Sequence, residues 1–239
     1  MGLSQSKKTQ EKQRPMNYAI LILALGCAPL LPLVATGYFW YSRWKYRKFA
    51  VSSGLKGREA ALRLLAENGI TDIPIESANA MVGDHFDPKS RKIALSADVL
   101  EQSSAFALAV AAHEVGHALQ QKEGYRWFGW WMAVAPYVHL LSFAFQMVVM
   151  ALAMFFPPII FLLAISYSLL FLMSILTLPV EYDASRRALK ELDRSGLLTT
   201  PEEKSAAKTV LIAAGLTYVA KAIQDLLLAV YHVLRTFRR

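Results

Sequence analysis

The sequence predicts a mainly α-helical membrane protein with a small β hairpin or sheet and three to four transmembrane helices. Three observations carry this. Hydrophobic residues make up 55% of the 239 residues and charged ones only 18%, too apolar a balance for an ordinary soluble domain. The apolar residues come in blocks, with 19–41 and 127–180 free of charge while 43–126 and 181–208 carry a normal globular mixture. The globular blocks themselves contain both helix-period and alternating patterns. The net charge of +8 is concentrated beside the apolar blocks, in "KKTQEKQR", "RWKYRK" and "RTFRR", which fits lipid headgroups as partners and not nucleic acid. A single cysteine, Cys27, excludes an intramolecular disulfide and a cysteine metal cluster.

Residues 1–16 read as a polar basic tail. Gly2 and Ser6 match the N-myristoylation pattern, within a stretch that otherwise reads as a disordered polar segment. Residues 17–41 are long enough to span a hydrocarbon core of ~30 Å at ~1.5 Å per residue, with Pro29 and Pro32 as kinks. The segment exceeds the h-region of a signal peptide and ends in Trp40, Tyr41, Trp44 and Tyr46, so it reads as a retained anchor. In "SSGLKGREAALRLLAENGI" the apolar positions 61, 62, 64 and 65 recur at helical spacing, with Ser52 and Ser53 as caps and Gly69 as the stop. The period then changes: Ile73 and Ile75 alternate with other positions, "DPKS" is turn chemistry and "RKIALS" is a short strand, so 73–95 forms a small sheet or hairpin before a helix capped near Ser96.

Residues 104–121, "SAFALAVAAHEVGHALQQ", form a helix. Its uncharged part, 102–112, is about half of the ~20 residues a span needs, so it is a buried soluble helix. Residues 127–180 form a transmembrane hairpin of two helices broken at Pro157-Pro158, and 181–205 a further helix. The last segment, 206–234, is apolar but carries Lys208, Lys221, Gln224 and Asp225, which leaves it between a fourth span and a helix lying on the others.

The chemistry concentrates in "HEVGH". His113 and His117 stand one turn apart on the same helix face and can offer imidazole nitrogens to one ion. Glu114 sits at the edge of that face, placed to act as a base on a water in the open position that a catalytic zinc retains. Such a site needs a third protein ligand, for which His85, Asp98, Glu123, His139, Glu181 and Asp183 are the candidates. Glu181 follows the apolar hairpin directly, and two spans return the chain to the side that residue 117 left. The rival reading of Glu181 and Asp183 is that they favour a helix N-terminus through its dipole.

The stretches "DHFDP", "KIALSADVL", "AVAAHEVGHALQ", "TLPVEYDASRRAL" and "AAGLTYVAKAI" together resemble the YugP-type membrane neutral zinc metallopeptidases, from the first span to the C-terminus. The resemblance implies a membrane-embedded peptidase with one zinc ion per chain, held by His113, His117 and Glu181, with Glu114 as the catalytic base. More distantly the chain is similar to the HtpX-like gluzincins, which implies a gluzincin-like zinc-helix core over 43–126. That group carries E-x-x-A-D downstream; here Glu181 and Ala184 match, but Ser185 replaces the aspartate that supports a zinc histidine, with Asp183 or Asp84 as substitutes. His85 and Asp84 in "DHFDP" read as a turn or as groups at the cleft. The resemblance also implies an edge strand near 78–95 that pairs with extended substrate.

The combined reading is an integral, multi-pass membrane metalloendopeptidase acting on peptide or protein substrates, membrane proteins among them. The balance of Lys and Arg leans the catalytic region toward the cytoplasm. The rival is a non-catalytic, zinc-stabilised membrane scaffold, against which the intact Glu114 speaks.

Overall fold

The computed structural model describes residues 26–79 and 83–236; the polar tail 1–16, with its Gly2 pattern, and the first part of the expected span 17–41 lie outside the described residues. The chain is mainly helical. Helix α1 (Leu30–Tyr46) starts directly after a turn at 28–29. Pro29 therefore interrupts the helix instead of kinking it, and Pro32 falls in the first turn, where its missing N–H costs no hydrogen bond.

Helix α2 (Gly57–Glu67) corrects one expectation: its N-cap is Lys56, whose N–H donates to Glu59 Oε2 at 2.8 Å, and not Ser52 or Ser53. Ser52 is taken elsewhere, donating its backbone N–H to Glu203 Oε1 at 2.6 Å. Its hydroxyl donates to the same carboxylate oxygen, a charge-assisted pair. Where the helix begins is set by Gly57, because a Cβ there would stand 2.1 Å from the Val99 carbonyl oxygen.

Three short strands follow, β1 (Ile75–Ser77), β2 (His85–Asp87) and β3 (Lys92–Leu95), in the order β1-β3-β2. β1 runs parallel to β3 with Ile75 opposite Ile93, and β2 antiparallel with Phe86 opposite the same residue. The β2–β3 hairpin turns at Asp87, whose Oδ1 accepts from the Lys89 N–H at 2.9 Å and whose Oδ2 accepts from the Ser90 hydroxyl. Helix α3 (Ala97–Glu101) leads into α4 (Ala105–Lys122), where the Ser104 hydroxyl accepts from the Ala107 N–H at 3.2 Å. After α4 come α5 (Arg126–Ala153), a 3-10 turn (Pro157–Phe161), α6 (Leu162–Arg194) and α7 (Pro201–Thr236).

Helix α6 corrects a second expectation. Glu181 does not begin a helix but lies well inside one, which runs through Pro179. In long apolar helices a proline is tolerated where neighbouring groups or a local adjustment of the backbone satisfy the carbonyl it frees. The reading of Glu181 as a charge on a helix N-terminus is thereby removed.

The chain divides into two units. One comprises 35–136 and 175–219 and holds the sheet, α2, α3 and α4. Its core is built from Leu64, Leu65, Ile93, Leu108, Val115 and Leu192, all fully or almost fully buried; each contributes on the order of 1.5–3 kcal/mol of transfer free energy. The other comprises 1–34, 137–174 and 220–239. Within it the buried Asp225 accepts from the Ser174 hydroxyl at 2.6 Å and pairs with Lys221 at 2.8 Å. Among the described residues two helices, Phe161–Arg194 and Pro201–Thr236, are long and apolar enough to cross a membrane; a shorter apolar helix covers Leu141–Ala153.

Candidate metal centre

The site is made where α4 meets α6. Gly116, about one turn after His113 and directly before His117, has no side chain because the Ala184 carbonyl oxygen fills its place: a Cβ built there would lie 2.6 Å from it. Ala184 itself is fully buried. Two small residues therefore let the backbones touch, and this contact sets the distance between the histidines of one helix and the glutamate of the other.

His113 Nε2 lies 3.1 Å and His117 Nε2 3.8 Å from Glu181 Oε2, and the ligand atoms of the three residues all fall within 4.8 Å of one another. Donor atoms around a tetrahedral zinc with bonds of ~2.1 Å stand ~3.4 Å apart, which the first two distances bracket. Two imidazoles and one carboxylate are also a donor set that catalytic zinc takes, so the residues fit that ion. The side chains are 14, 11 and 8% exposed in the order His113, His117, Glu181; His113 opens on a cavity of about 540 Å³ that Glu114, Asp84, Phe106 and Tyr218 also line.

The outer ring nitrogens are held as well. Gln120, fully buried, donates its Nε2–H groups to the Val180 carbonyl at 2.8 Å and to Asp183 Oδ2 at 3.1 Å. Its Oε1 is thus left to accept from His117 Nδ1 at 3.0 Å. That bond places the proton on Nδ1 and frees the Nε2 lone pair to face Glu181. The Ser185 hydroxyl lies 3.2 Å from His113 Nδ1. The residue that departs from the gluzincin pattern therefore still touches the first histidine, while Asp183 reaches the second through Gln120. Asp183 is held in turn by Arg186 at 2.9 Å and by Arg187 at 2.5 Å.

Burial dominates the electrostatics. It pulls the His117 imidazolium down to about 4 and pushes the Glu114 carboxyl up to about 7, with the nearby charges of Glu181 and Asp84 acting in the same direction. At His113 burial acts downward too, but the hydrogen bond to Glu181 and the charges of Glu114 and Glu181 outweigh it, and the ring ends above its ordinary value.

The remaining candidates are placed elsewhere. Asp84 lines the cavity and accepts from the Ser96 N–H at 2.5 Å. The His85 Nδ1 lies 3.0 Å from the Gly83 carbonyl, a bond within its own turn. Asp98 pairs with Arg43 at 2.7 Å and Glu123 with Arg187 at 2.6 Å; the side chain of His139 lies outside the described ones. Sequence reasoning missed Gln120, although its i+3 spacing from His117 marks it as a neighbour on the same face. It also missed Tyr218, for which no spacing rule exists.

Comparison with known proteins points the same way. A family model described as "Putative neutral zinc metallopeptidase" matches residues 20–237. A curated protein of Bacillus subtilis (strain 168), "Putative membrane protease YugP", is 38% identical over 183 residues, covering 76% of this chain and 81% of its own. No solved structure matches.

Proposed function

This chain belongs to the neutral zinc metallopeptidase family, and on that premise we propose that it is an integral membrane zinc-dependent endopeptidase. The observation that carries the reading is the convergence of His113 Nε2, His117 Nε2 and Glu181 Oε2 next to the buried Glu114. The three donors would hold one zinc ion, which when bound supplies a Lewis acid for the scissile carbonyl and lowers the pKa of water to about 7. Gln120 and Ser185 keep the two imidazoles turned to that task.

Glu114 is the base. It is buried beside His113 and lines the cavity, where its carboxylate can take and return a proton. Its oxygen accepts a proton from the attacking water while the water oxygen bonds to the carbonyl carbon. The same oxygen then hands the proton to the amide nitrogen as the C–N bond breaks. Burial at 6% exposure keeps bulk water from competing.

The finer parts of the reading belong here as well: a gluzincin-like core, three to four membrane spans and a catalytic region leaning to the cytoplasm. They are supported by the two helices long and apolar enough to cross a membrane and by the basic clusters beside the apolar blocks. Peptides or proteins, membrane proteins among them, are the substrates. The test is Glu114→Gln in the full chain in detergent, with a fluorescently labelled unfolded protein as probe. The variant keeps zinc at the wild-type stoichiometry and loses on the order of 10²–10⁴-fold in turnover. Wild-type cleavage by a folded, zinc-loaded Glu114→Gln protein overturns the proposal.

A further inference from the structure

Between α6 and α7 runs a groove of about 530 Å³ with a mostly apolar surface, formed by Leu178, Tyr182 and Leu189 on one side and Ile212, Leu216 and Val219 on the other. All of it lies within the unit of 35–136 and 175–219. Asp193, just past this stretch of α6, pairs with Lys204, just before that of α7, so the two walls run in opposite directions. Residues 178–189 cover ~16 Å of helix at ~1.5 Å per residue, close to one leaflet, or half of a ~30 Å hydrocarbon core.

The two ends of the groove differ. From Leu178 back to its start α6 has no charged residue, and from Val219 to Leu234 α7 carries only Lys221 and Asp225, which pair with each other. At the other end stand Arg186 and Lys208, and Lys190 joins Lys208 in a smaller hollow around Leu189. Arg186 gives an N–H to Asp183 at 2.9 Å, but its side chain is 68% exposed, which leaves most of its five donors to a further acceptor. The acid that lines the smaller hollow, Asp193, is taken by Lys204, so Lys190 and Lys208 have no ion-pair partner among the described residues.

An apolar trough with a cationic end fits an amphiphile with a negative head. It does not fit an extended peptide: both walls are α-helices, whose N–H and C=O groups are spent within the helix, and a peptide backbone would be buried there without partners. An acyl chain has no such groups to satisfy. The apolar end points along both helices toward their apolar parts and the cationic end away from them, as a phospholipid stands in one leaflet. Basic pockets between transmembrane helices hold anionic headgroups in the same way.

We propose that this groove binds one anionic phospholipid per chain, with an acyl chain between Tyr182 and Leu216 and the phosphate on Arg186 and Lys208. The site is separate from the basic clusters beside the apolar blocks and does not depend on the metal centre being catalytic. Glu181 and Ser185, both within hydrogen-bonding distance of His113, also line the groove, so the lipid lies against the back of that centre.

The test uses the full chain in detergent, stripped of lipid and titrated with dioleoyl phosphatidylglycerol or dioleoyl phosphatidylcholine, with bound lipid counted by native mass spectrometry. One phosphatidylglycerol per chain is expected, held about 10–30-fold more tightly than phosphatidylcholine, as two nearby cationic side chains provide. Arg186→Gln with Lys208→Gln is expected to remove that difference at an unchanged melting temperature, whereas the same loss of charge in Lys45→Gln with Lys48→Gln is expected to leave it. Gly215 lines the groove and a Cβ there meets only open space, so Gly215→Leu fills the trough and is expected to weaken both lipids. Equal wild-type affinity for the two lipids overturns the proposal, and so does a preference that survives Arg186→Gln with Lys208→Gln or an affinity that Gly215→Leu leaves unchanged. A wild-type chain that takes up neither lipid, while Gly215→Leu lowers cleavage of an unfolded protein, would mark a peptide subsite and overturn it as well.

Discussion

Replacing Gly116 by alanine tests how the site is assembled. The added methyl would stand 2.6 Å from the Ala184 carbonyl oxygen and 3.1 Å from its Cα, whereas ordinary contact begins at 3.4 Å. The obstacle is backbone, so no side chain can swing aside, and α4 and α6 must separate locally by about 0.8 Å. Overpacking of this kind costs about 1–3 kcal/mol of stability. The effect on the metal is larger than that figure suggests, because zinc–ligand distances tolerate only ~0.2 Å, and Glu181 lies less than one turn from the contact. Gly116→Ala is therefore expected to melt only a few degrees lower without metal but to lose at least about tenfold in zinc affinity, read by chelator competition. Wild-type zinc affinity in Gly116→Ala would refute the argument that this helix contact sets the ligand spacing. A matched Ala118→Ser control, on the same helix, is expected to leave affinity near wild type.

Other substitutions separate the layers of the account. Gln120→Leu keeps volume but strips His117 Nδ1, the Val180 carbonyl and Asp183 of their partner; zinc affinity is expected to fall about 10–100-fold, and an unchanged value counts against the assigned ring orientation. Glu203→Ala leaves the N–H groups of Ser52, Thr199 and Thr200 without their charged acceptor, so thermal stability is expected to drop by about 1–3 kcal/mol with no change in metal content; loss of zinc would contradict this division. Asp98 supplies a pH test. Arg43, donating at 2.7 Å, holds the Asp98 carboxyl below its ordinary value. A carboxyl lowered in the folded state adds stability above the unfolded value of about 4 and loses it as pH falls through the folded one. Arg43→Gln should thus remove up to about 1 kcal/mol at pH 7 and progressively less as the pH falls below the unfolded value, and a loss of equal size at all pH values would speak against the pair.

What was legible in the sequence is what obeys a period or a local rule. The helix of "HEVGH" was readable because residues 104–121 hold no proline and a single glycine and because a four-residue spacing puts two rings on one face; its Ser104 cap came only with the structure. The sheet at 73–95 was readable from alternation and from the turn at Asp87. What was not legible depends on partners far away in the chain. Ser52 looks like a helix cap, yet its acceptor is 151 positions on, at Glu203. Glu181 looks like a helix start after Pro179, yet the helix passes straight through. Ser185 looked like a lost supporting group, yet its hydroxyl lies 3.2 Å from His113 Nδ1. Gln120 carries no motif of its own; only the packing of α4 against α6 gives it its partners.

The central claim is that His113, His117 and Glu181 hold one metal ion together. Metal analysis of the purified wild-type chain beside Glu181→Ala, after dialysis against a weak chelator, tests it most directly. One zinc per wild-type chain, with most of it gone from a folded Glu181→Ala variant, is the predicted result. A wild-type chain without zinc, or a variant that keeps a full equivalent at the same affinity, would contradict it.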